Sequence, residues 1–184
     1  MIYILDCGSS KTKFIHQMVD EYMECKTIPF FDFKNTHLTD AIGVIISGAP
    51  ILITEENMGP YLEAIEWIKE VSIPLLGICF GHQLIGLQFG SLANKMKEDR
   101  DFQEIEVFEE SRLFSRLPRV IEMQEDHCEF ITVPQHFKLL ASSDCCFNEA
   151  MEHKDKPIFS VQFHPEVSGN YGNILMENFL KVCV

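Results

Sequence analysis

The stretch IPLLGICFGHQLIGLQF, residues 73–89, decides the fold. Its first part, 73–78, is a continuous apolar run typical of a strand buried on both faces, and 82–89 has the spacing of a helix. Cys79 stands at the junction, with a glycine two residues before it (Gly77) and another two residues after it (Gly81). A buried structural cysteine does not need flanking glycines, whereas a nucleophile on a tight strand-to-helix turn does.

The same alternation of strand and helix fills the first half of the chain. We predict strands at 2–6, 27–31 and 41–47, and helices at 11–24 and 60–70. After residue 90 the sequence changes to β-like pieces joined by short turns, and 173–183 is predicted to form a closing helix. The pattern predicts an α/β fold: an open, mostly parallel, doubly wound sheet flanked by helices, with a small antiparallel β extension. We expect residues 1–184 to form a single domain.

Composition excludes several classes of protein. The net charge of −13 argues against nucleic-acid binding, which requires a basic surface. No apolar run reaches the roughly 18 residues of a membrane span, and the N-terminus does not resemble a signal peptide, so we expect a cytoplasmic protein. The seven cysteines are odd in number and form no CxxC motif, so we expect neither a disulfide framework nor a metal site.

Three loops leave the carboxyl ends of predicted strands, where open α/β sheets bind ligands. They are DCGSS (6–10), SGAP (47–50) and CFGH (79–82). The pattern G-x-C-x-G in the third is that of a nucleophile elbow. Because the cysteine precedes a helix, the positive end of the helix dipole favours its thiolate, and the first helical N–H groups can bind an oxyanion.

A second motif supplies the base that such a nucleophile needs. VQFHPE (161–166) places His164 at the end of a β-like run, and the following proline favours an extended backbone. Glu166 is close enough in sequence to bind the second ring nitrogen. Cys79, His164 and Glu166 are therefore predicted to act as nucleophile, base and orienting carboxylate.

These motifs resemble those of the class I (triad) glutamine amidotransferase family. GICFGHQ (77–83) and VQFHPEV (161–167) are similar to its two catalytic motifs. ILDCGSSKTKFI (4–15), VIISGAP (44–50) and EDHCEF (125–130) resemble segments of one branch, the glutaminase part of GMP synthetase. The resemblance covers nearly the whole chain.

The resemblance implies an activity and roles for individual residues. Cys79 would attack the side-chain amide of glutamine, His164 would transfer protons, and no cofactor is needed. Substrate and oxyanion would be bound by the Gly48 loop, by the backbone N–H groups of Ala49 and Phe80, and by the side chain of Gln83. The chain has no SGGVDS-type pyrophosphate loop, so it would deliver ammonia to a separate ATP-pyrophosphatase (synthetase) subunit.

The sequence departs from the family pattern in three places. Ala49 replaces the second glycine of SGGP and would be strained if its φ were positive. Gln103 replaces a glycine, and we expect its side chain to intrude near the glutamine pocket. Asp126 and Glu129 flank His127 where the family has serine and aspartate, and His127 and Glu129 are predicted to face the partner.

Other readings stay open at this point. The same chemistry could serve a different ammonia acceptor, or belong to a cysteine protease or γ-glutamyl hydrolase, because the first half of the reaction is shared. The departures also leave open a degenerate, non-catalytic regulatory or binding module.

Overall fold

A computed structural model describes residues 1–184 and contains one nine-stranded sheet. The strand order is β2-β1-β3-β4-β9-β8-β7-β5-β6. The strands are β1 (Ile2–Asp6), β2 (Cys25–Pro29), β3 (Gly43–Ile46), β4 (Leu75–Ile78), β5 (Ala93–Val107), β6 (Val120–Ile131), β7 (Phe137–Ser142), β8 (Ala150–His153) and β9 (Ile158–Val161). The α-helices are α1 (Thr12–Asp20), α2 (Gly59–Ala64), α3 (Phe80–Gln88) and α4 (Gly169–Val182).

The parallel half of the sheet comprises β2, β1, β3, β4 and β9. Every residue of β3, β4 and β9 is buried, which explains why these strands have continuous apolar sequences. Alternate side chains of the strands enter two separate cores. One core contains residues of α1 and α4, and the other contains residues of α3. The α/β, doubly wound architecture is therefore confirmed.

The antiparallel part is larger than the sequence indicated. It contains β5, β6, β7 and β8, and β5 and β6 form a long hairpin. The first half of β5 is rich in charged residues and lacks apolar alternation, because much of it is exposed. β9 was expected to belong to this extension, but it pairs in parallel with β4 as well as antiparallel with β8.

Two other predicted elements have different boundaries. The helix predicted at 60–70 ends at Ala64 and continues as a 3₁₀ turn at Glu66–Lys69. Among the β-like pieces predicted after residue 90, RVIEMQED (119–126) and EFITV (129–133) fall largely within one strand, β6, which ends at Ile131. No helix is long and apolar enough to cross a bilayer, and all seven cysteines are free.

Candidate active site

Cys79 occupies a strained turn between β4 and α3. Its φ and ψ are +52° and −104°, a conformation that non-glycine residues rarely adopt. The backbone N–H of Cys79 donates to the carbonyl of Val161 at 2.9 Å, and the residue is 7% exposed. Backbone strain at a single cysteine between a strand and a helix is the geometry of a nucleophile elbow.

The flanking glycines are required by close backbone contacts. A Cβ on Gly77 would lie 2.6 Å from the backbone of Gly81, and a Cβ on Gly81 would collide with the carbonyl of Ile46 in β3. Because the backbone cannot yield as a flexible side chain does, neither position has room for a larger residue. The glycines let α3 pack directly against the strands that carry the site.

Replacing Gly81 with alanine is therefore expected to destabilise the protein by about 2–3 kcal/mol or more. The added methyl group would push α3 away from β3, so glutaminase activity should fall as well. Urea unfolding would measure the change. Gly59→Ala is the matched control, because Gly59 begins α2 at a negative φ and a Cβ there would meet only the side chain of Asn57, at 3.2 Å. Equal stability of the two variants would contradict the role assigned to Gly81.

His164 and Glu166 lie on the turn that follows β9. The Nδ1 atom of His164 is 2.7 Å from Oε1 of Glu166, and both side chains are almost completely buried. The His164 backbone N–H donates to the carbonyl of Gln124 at 2.8 Å, and its own carbonyl accepts from the hydroxyl of Ser168 at 2.6 Å. These bonds fix the backbone of His164 against the middle of β6.

The charge state of His164 depends on its neighbours. Burial lowers the pKa of the imidazole, but the Cys79 thiolate and the Glu166 carboxylate outweigh burial and raise that pKa to about 10. The imidazole faces Cys79 while its other nitrogen contacts Glu166. The arrangement favours an imidazolium form of His164 at neutral pH, held between the sulfur of Cys79 and the carboxylate of Glu166.

The loop after β3 lies beside this pair. A Cβ on Gly48 would be 3.2 Å from Cε1 of His164 and 3.6 Å from Cβ of Cys79. The backbone N–H of Ala49 donates to no other group of the protein, and that of Phe80 lies in the first turn of α3, where helical N–H groups have no intrahelical acceptor. Ala49 does not have a positive φ, so the expected strain at this position is absent.

A cavity of about 410 Å³ opens onto Cys79 and His164. It is lined by the loops after β1 and β3, by Gln83, and by residues 126–129. A larger cavity, about 990 Å³, lies between residues 107–119 and the end of α4, and contains none of these groups. The smaller cavity is the one that can present a substrate to the strained cysteine.

Gln83 lines this cavity and does not face solvent. Its Nε2 donates to the carbonyl of Glu129 at 3.1 Å and to Oε1 of Gln162 at 3.2 Å. Sequence analysis missed Gln162, which is fully buried and whose Nε2 lies 3.7 Å from Sγ of Cys79. Its place between the apolar residues Val161 and Phe163 could have revealed it, because a polar side chain that is buried requires a hydrogen-bond partner.

His127 and Glu129, which the sequence predicts to face a partner, have buried side chains that line the cavity. His127 is 7% exposed and Glu129 is 2% exposed. The Glu129 carboxylate accepts hydrogen bonds from the backbone N–H groups of Ile53 and Thr54, at 2.5 and 3.2 Å. Through these two hydrogen bonds the side chain of Glu129 fixes the loop after β3 to β6.

The prediction that Gln103 intrudes on the pocket is wrong. Its Nε2 donates to the carbonyl of Arg100 at 3.1 Å at the surface, and its side chain lines a different, shallow depression. The rim of the active-site cavity instead carries an ion pair that the sequence did not reveal. Nζ of Lys11 lies 2.6 Å from Oδ2 of Asp126 and joins the loop after β1 to β6.

Together these groups provide the requirements of acyl transfer from an amide. The site has a sulfur nucleophile, an imidazole held by a carboxylate, and two backbone N–H donors beside the nucleophile. No group in it requires a cofactor for this chemistry.

Comparison with known proteins gives a consistent picture. A family model described as "Glutamine amidotransferase class-I" matches residues 3–183. The glutamine-hydrolyzing GMP synthase subunit of Pyrococcus furiosus is 39% identical, and the match covers 100% of this chain and 98% of the relative. The corresponding protein of Methanocaldococcus jannaschii is 36% identical, with 100% and 97% covered.

Solved structures also resemble the chain. A Thermoplasma acidophilum protein described as a GMP synthase subunit superposes with a TM-score of 0.91 at 33% identity, covering 99% of this chain and 92% of that one. A glutamine amidotransferase from Thermotoga maritima gives a TM-score of 0.78 at 17% identity, covering 98% and 82%. The second likeness concerns the fold alone.

Proposed function

The chain belongs to the class I glutamine amidotransferase family, and we propose that it is the glutaminase subunit of a two-subunit GMP synthetase. The observation that carries this proposal is sequence similarity to the relatives along the full length of the chain. Relatives that are 36–39% identical over the whole chain are glutamine-hydrolyzing GMP synthase subunits of nearly the same length. The substrate is then glutamine, and the products are glutamate and ammonia.

We propose that Cys79, His164 and Glu166 perform the first half of the reaction. The Cys79 thiolate attacks the side-chain amide carbon of glutamine, and the electron pair of the C=O bond moves to oxygen. The backbone N–H groups of Phe80 and Ala49, neither of which is used within the fold, stabilise that oxyanion. As the C–N bond breaks, the imidazolium of His164 gives its proton to the departing nitrogen, which leaves as ammonia.

The second half returns the enzyme to its starting state. His164, now neutral, removes a proton from water, and the hydroxide attacks the glutamyl thioester. Collapse of the second tetrahedral intermediate releases glutamate and restores the thiolate–imidazolium pair. Glu166 keeps Nε2 of His164 directed at the reacting atoms in both halves, because it binds Nδ1.

The binding roles are also part of the proposal. The Gly48 loop forms one wall of the cavity because it lies against both Cys79 and His164. Gln83 would contact the amino-acid end of glutamine from another wall, and the position of its side chain in the cavity supports this role. We further propose that residues 1–184 act as one domain, located in the cytoplasm, and that ammonia passes to a separate ATP-pyrophosphatase subunit.

Glutamate release should increase when this partner is present. We expect roughly a 10- to 100-fold stimulation by the ATP-pyrophosphatase subunit of the same organism, supplied with ATP and XMP, because a loaded partner stabilises the active arrangement of the site. Glutamate and GMP would be measured together. The partner without XMP serves as the control.

Two outcomes would separate the chemistry from the acceptor. A rate of glutamine hydrolysis that does not change when the partner is added would support glutaminase activity but refute a role in GMP synthesis. A mixture that forms GMP from ammonium but not from glutamine would refute the proposed function.

A further inference from the structure

A second cluster of reactive side chains lies in the interior beside the active-site cavity, which one of its members, His127, also lines. Glu125 and His127 come from β6, and Cys146 and Glu149 come from the loop between β7 and β8. The four residues are between 0% and 7% exposed. One ring nitrogen of His127, the thiol of Cys146 and a carboxylate oxygen of Glu149 all lie within 4.8 Å of one another.

The hydrogen bonds of His127 determine which ring nitrogen faces the cluster. Nδ1 lies 2.9 Å from the backbone carbonyl of Glu129, and a carbonyl can only accept, so Nδ1 carries the proton. In the neutral ring Nε2 then presents a lone pair, and it has no hydrogen-bond donor. Metal-binding histidines characteristically have this arrangement, with the second nitrogen bound to a backbone carbonyl or carboxylate.

The carboxylates around Nε2 also lack donors. Oε1 of Glu149 accepts from the hydroxyl of Ser143 at 2.6 Å, but its Oε2 has no partner, and neither oxygen of Glu125 has one. Oε2 of Glu125 is 3.2 Å from Nε2 of His127, and the two carboxyl groups are close enough to interact. Acceptors that face one another in a dry interior are stable only with a cation or a proton between them.

The chemistry of the cluster selects the cation. Imidazole nitrogen, thiolate and carboxylate are the ligands of Zn²⁺, which is bound in closed tetrahedral sites when its role is structural. Zinc–ligand bonds of about 2.0–2.3 Å place the ligand atoms of a tetrahedral site about 3.5 Å from one another. Shifts of about an ångström would bring the three atoms from their present spacing into that geometry.

We propose that His127, Cys146 and Glu149 bind a zinc ion, with Glu125 as the fourth ligand. Because zinc binds the deprotonated forms of its ligands, binding would displace any protons that the thiol and carboxyl groups hold. The site was not predictable from sequence, since its ligands form no compact metal-binding motif.

The zinc ion would stabilise the segments that hold Gln162 beside Cys79. The carbonyl of Glu149 accepts from the backbone N–H of Gln162 at 2.8 Å, and the side chain of Gln162 reaches Cys79. Zinc would thus join β6 to the loop that supports Gln162. It would act on folding and rigidity, and it takes no part in glutamine hydrolysis.

Metal analysis of the full chain tests this proposal. The protein would be produced in zinc-supplemented medium, and separately unfolded and refolded with zinc, then dialysed against metal-free buffer. We expect one zinc ion per chain by mass spectrometry and a Tm about 5–10 °C above that of chelator-treated protein. Cys146→Ser and Glu149→Gln should lose the ion, and Cys145→Ser, at an exposed neighbouring cysteine, should keep it.

Refolding the wild-type chain with Co²⁺ gives a readout that does not depend on variants. A thiolate-to-cobalt absorption band and the visible bands of tetrahedral cobalt are expected. A protein that contains no zinc after either preparation and shows no such bands would overturn the proposal, and the cluster would then be a proton-sharing carboxyl pair. Zinc retained by Cys146→Ser but lost by Cys25→Ser would also overturn it, because His16, Asp20 and Cys25 form the other group of three possible ligands.

Discussion

Replacing Cys79 with alanine is expected to abolish glutamine hydrolysis and leave the fold intact. Of the two thiols that line the cavity, Cys79 and Cys128, Cys79 is the one that interacts with His164. Without it the rate should fall by a factor on the order of 10⁵–10⁶, to the background of the assay. The loss of one buried sulfur atom changes the packing little, because the strained turn is held by the backbone bond to Val161 and by the contact of Gly77 with Gly81.

Two measurements on Cys79→Ala separate loss of chemistry from loss of structure. Glutamate release should disappear, while GMP formation from added ammonium by the complex with the synthetase subunit should persist. Cys25→Ala is the control, since Cys25 begins the edge strand β2 and does not line the cavity. Substantial glutaminase activity in Cys79→Ala would refute the assignment of the nucleophile.

The features that could be predicted from sequence are those specified by neighbouring residues. The elbow needs small residues on both sides of Cys79, and the turn after β9 needs His164, Pro165 and Glu166 in succession. Strands buried on both faces have continuous apolar sequences, so the parallel half of the sheet was also predictable. In each case the constraint acts within a few residues of the signal.

The features that were missed depend on segments far apart in the chain. Glu129 was expected at the surface, yet its carboxylate is used to bind the backbone at Ile53 and Thr54. The ion pair of Lys11 and Asp126 joins β6 to the loop after β1. The charged first half of β5 has no apolar alternation and becomes a strand because β6 provides its hydrogen bonds. Local propensity contains no information about such partners.

Replacing Glu166 with glutamine is expected to reduce kcat by about 10³- to 10⁴-fold with little change in KM. The carboxylate does not touch the substrate, but it orients His164 and stabilises its positive charge. The carboxylate raises the pKa of His164, so its removal should lower that pKa from about 10. The alkaline limit of activity, where the imidazolium loses its proton, should therefore move to lower pH in the variant.

Folding stability provides a second test of the same charge interaction. A pKa raised from 6.5 to about 10 in the folded protein stabilises the fold fully below pH 6.5, and this contribution is lost as the pH rises towards 10. The wild-type protein should therefore lose stability across this window, and Glu166→Gln should lose less. Glu166→Asp, which keeps the charge, is expected to retain part of both the alkaline activity and the pH dependence of unfolding. If Glu166→Gln had the same pH profiles as the wild-type protein, Glu166 would only fill space beside the imidazole.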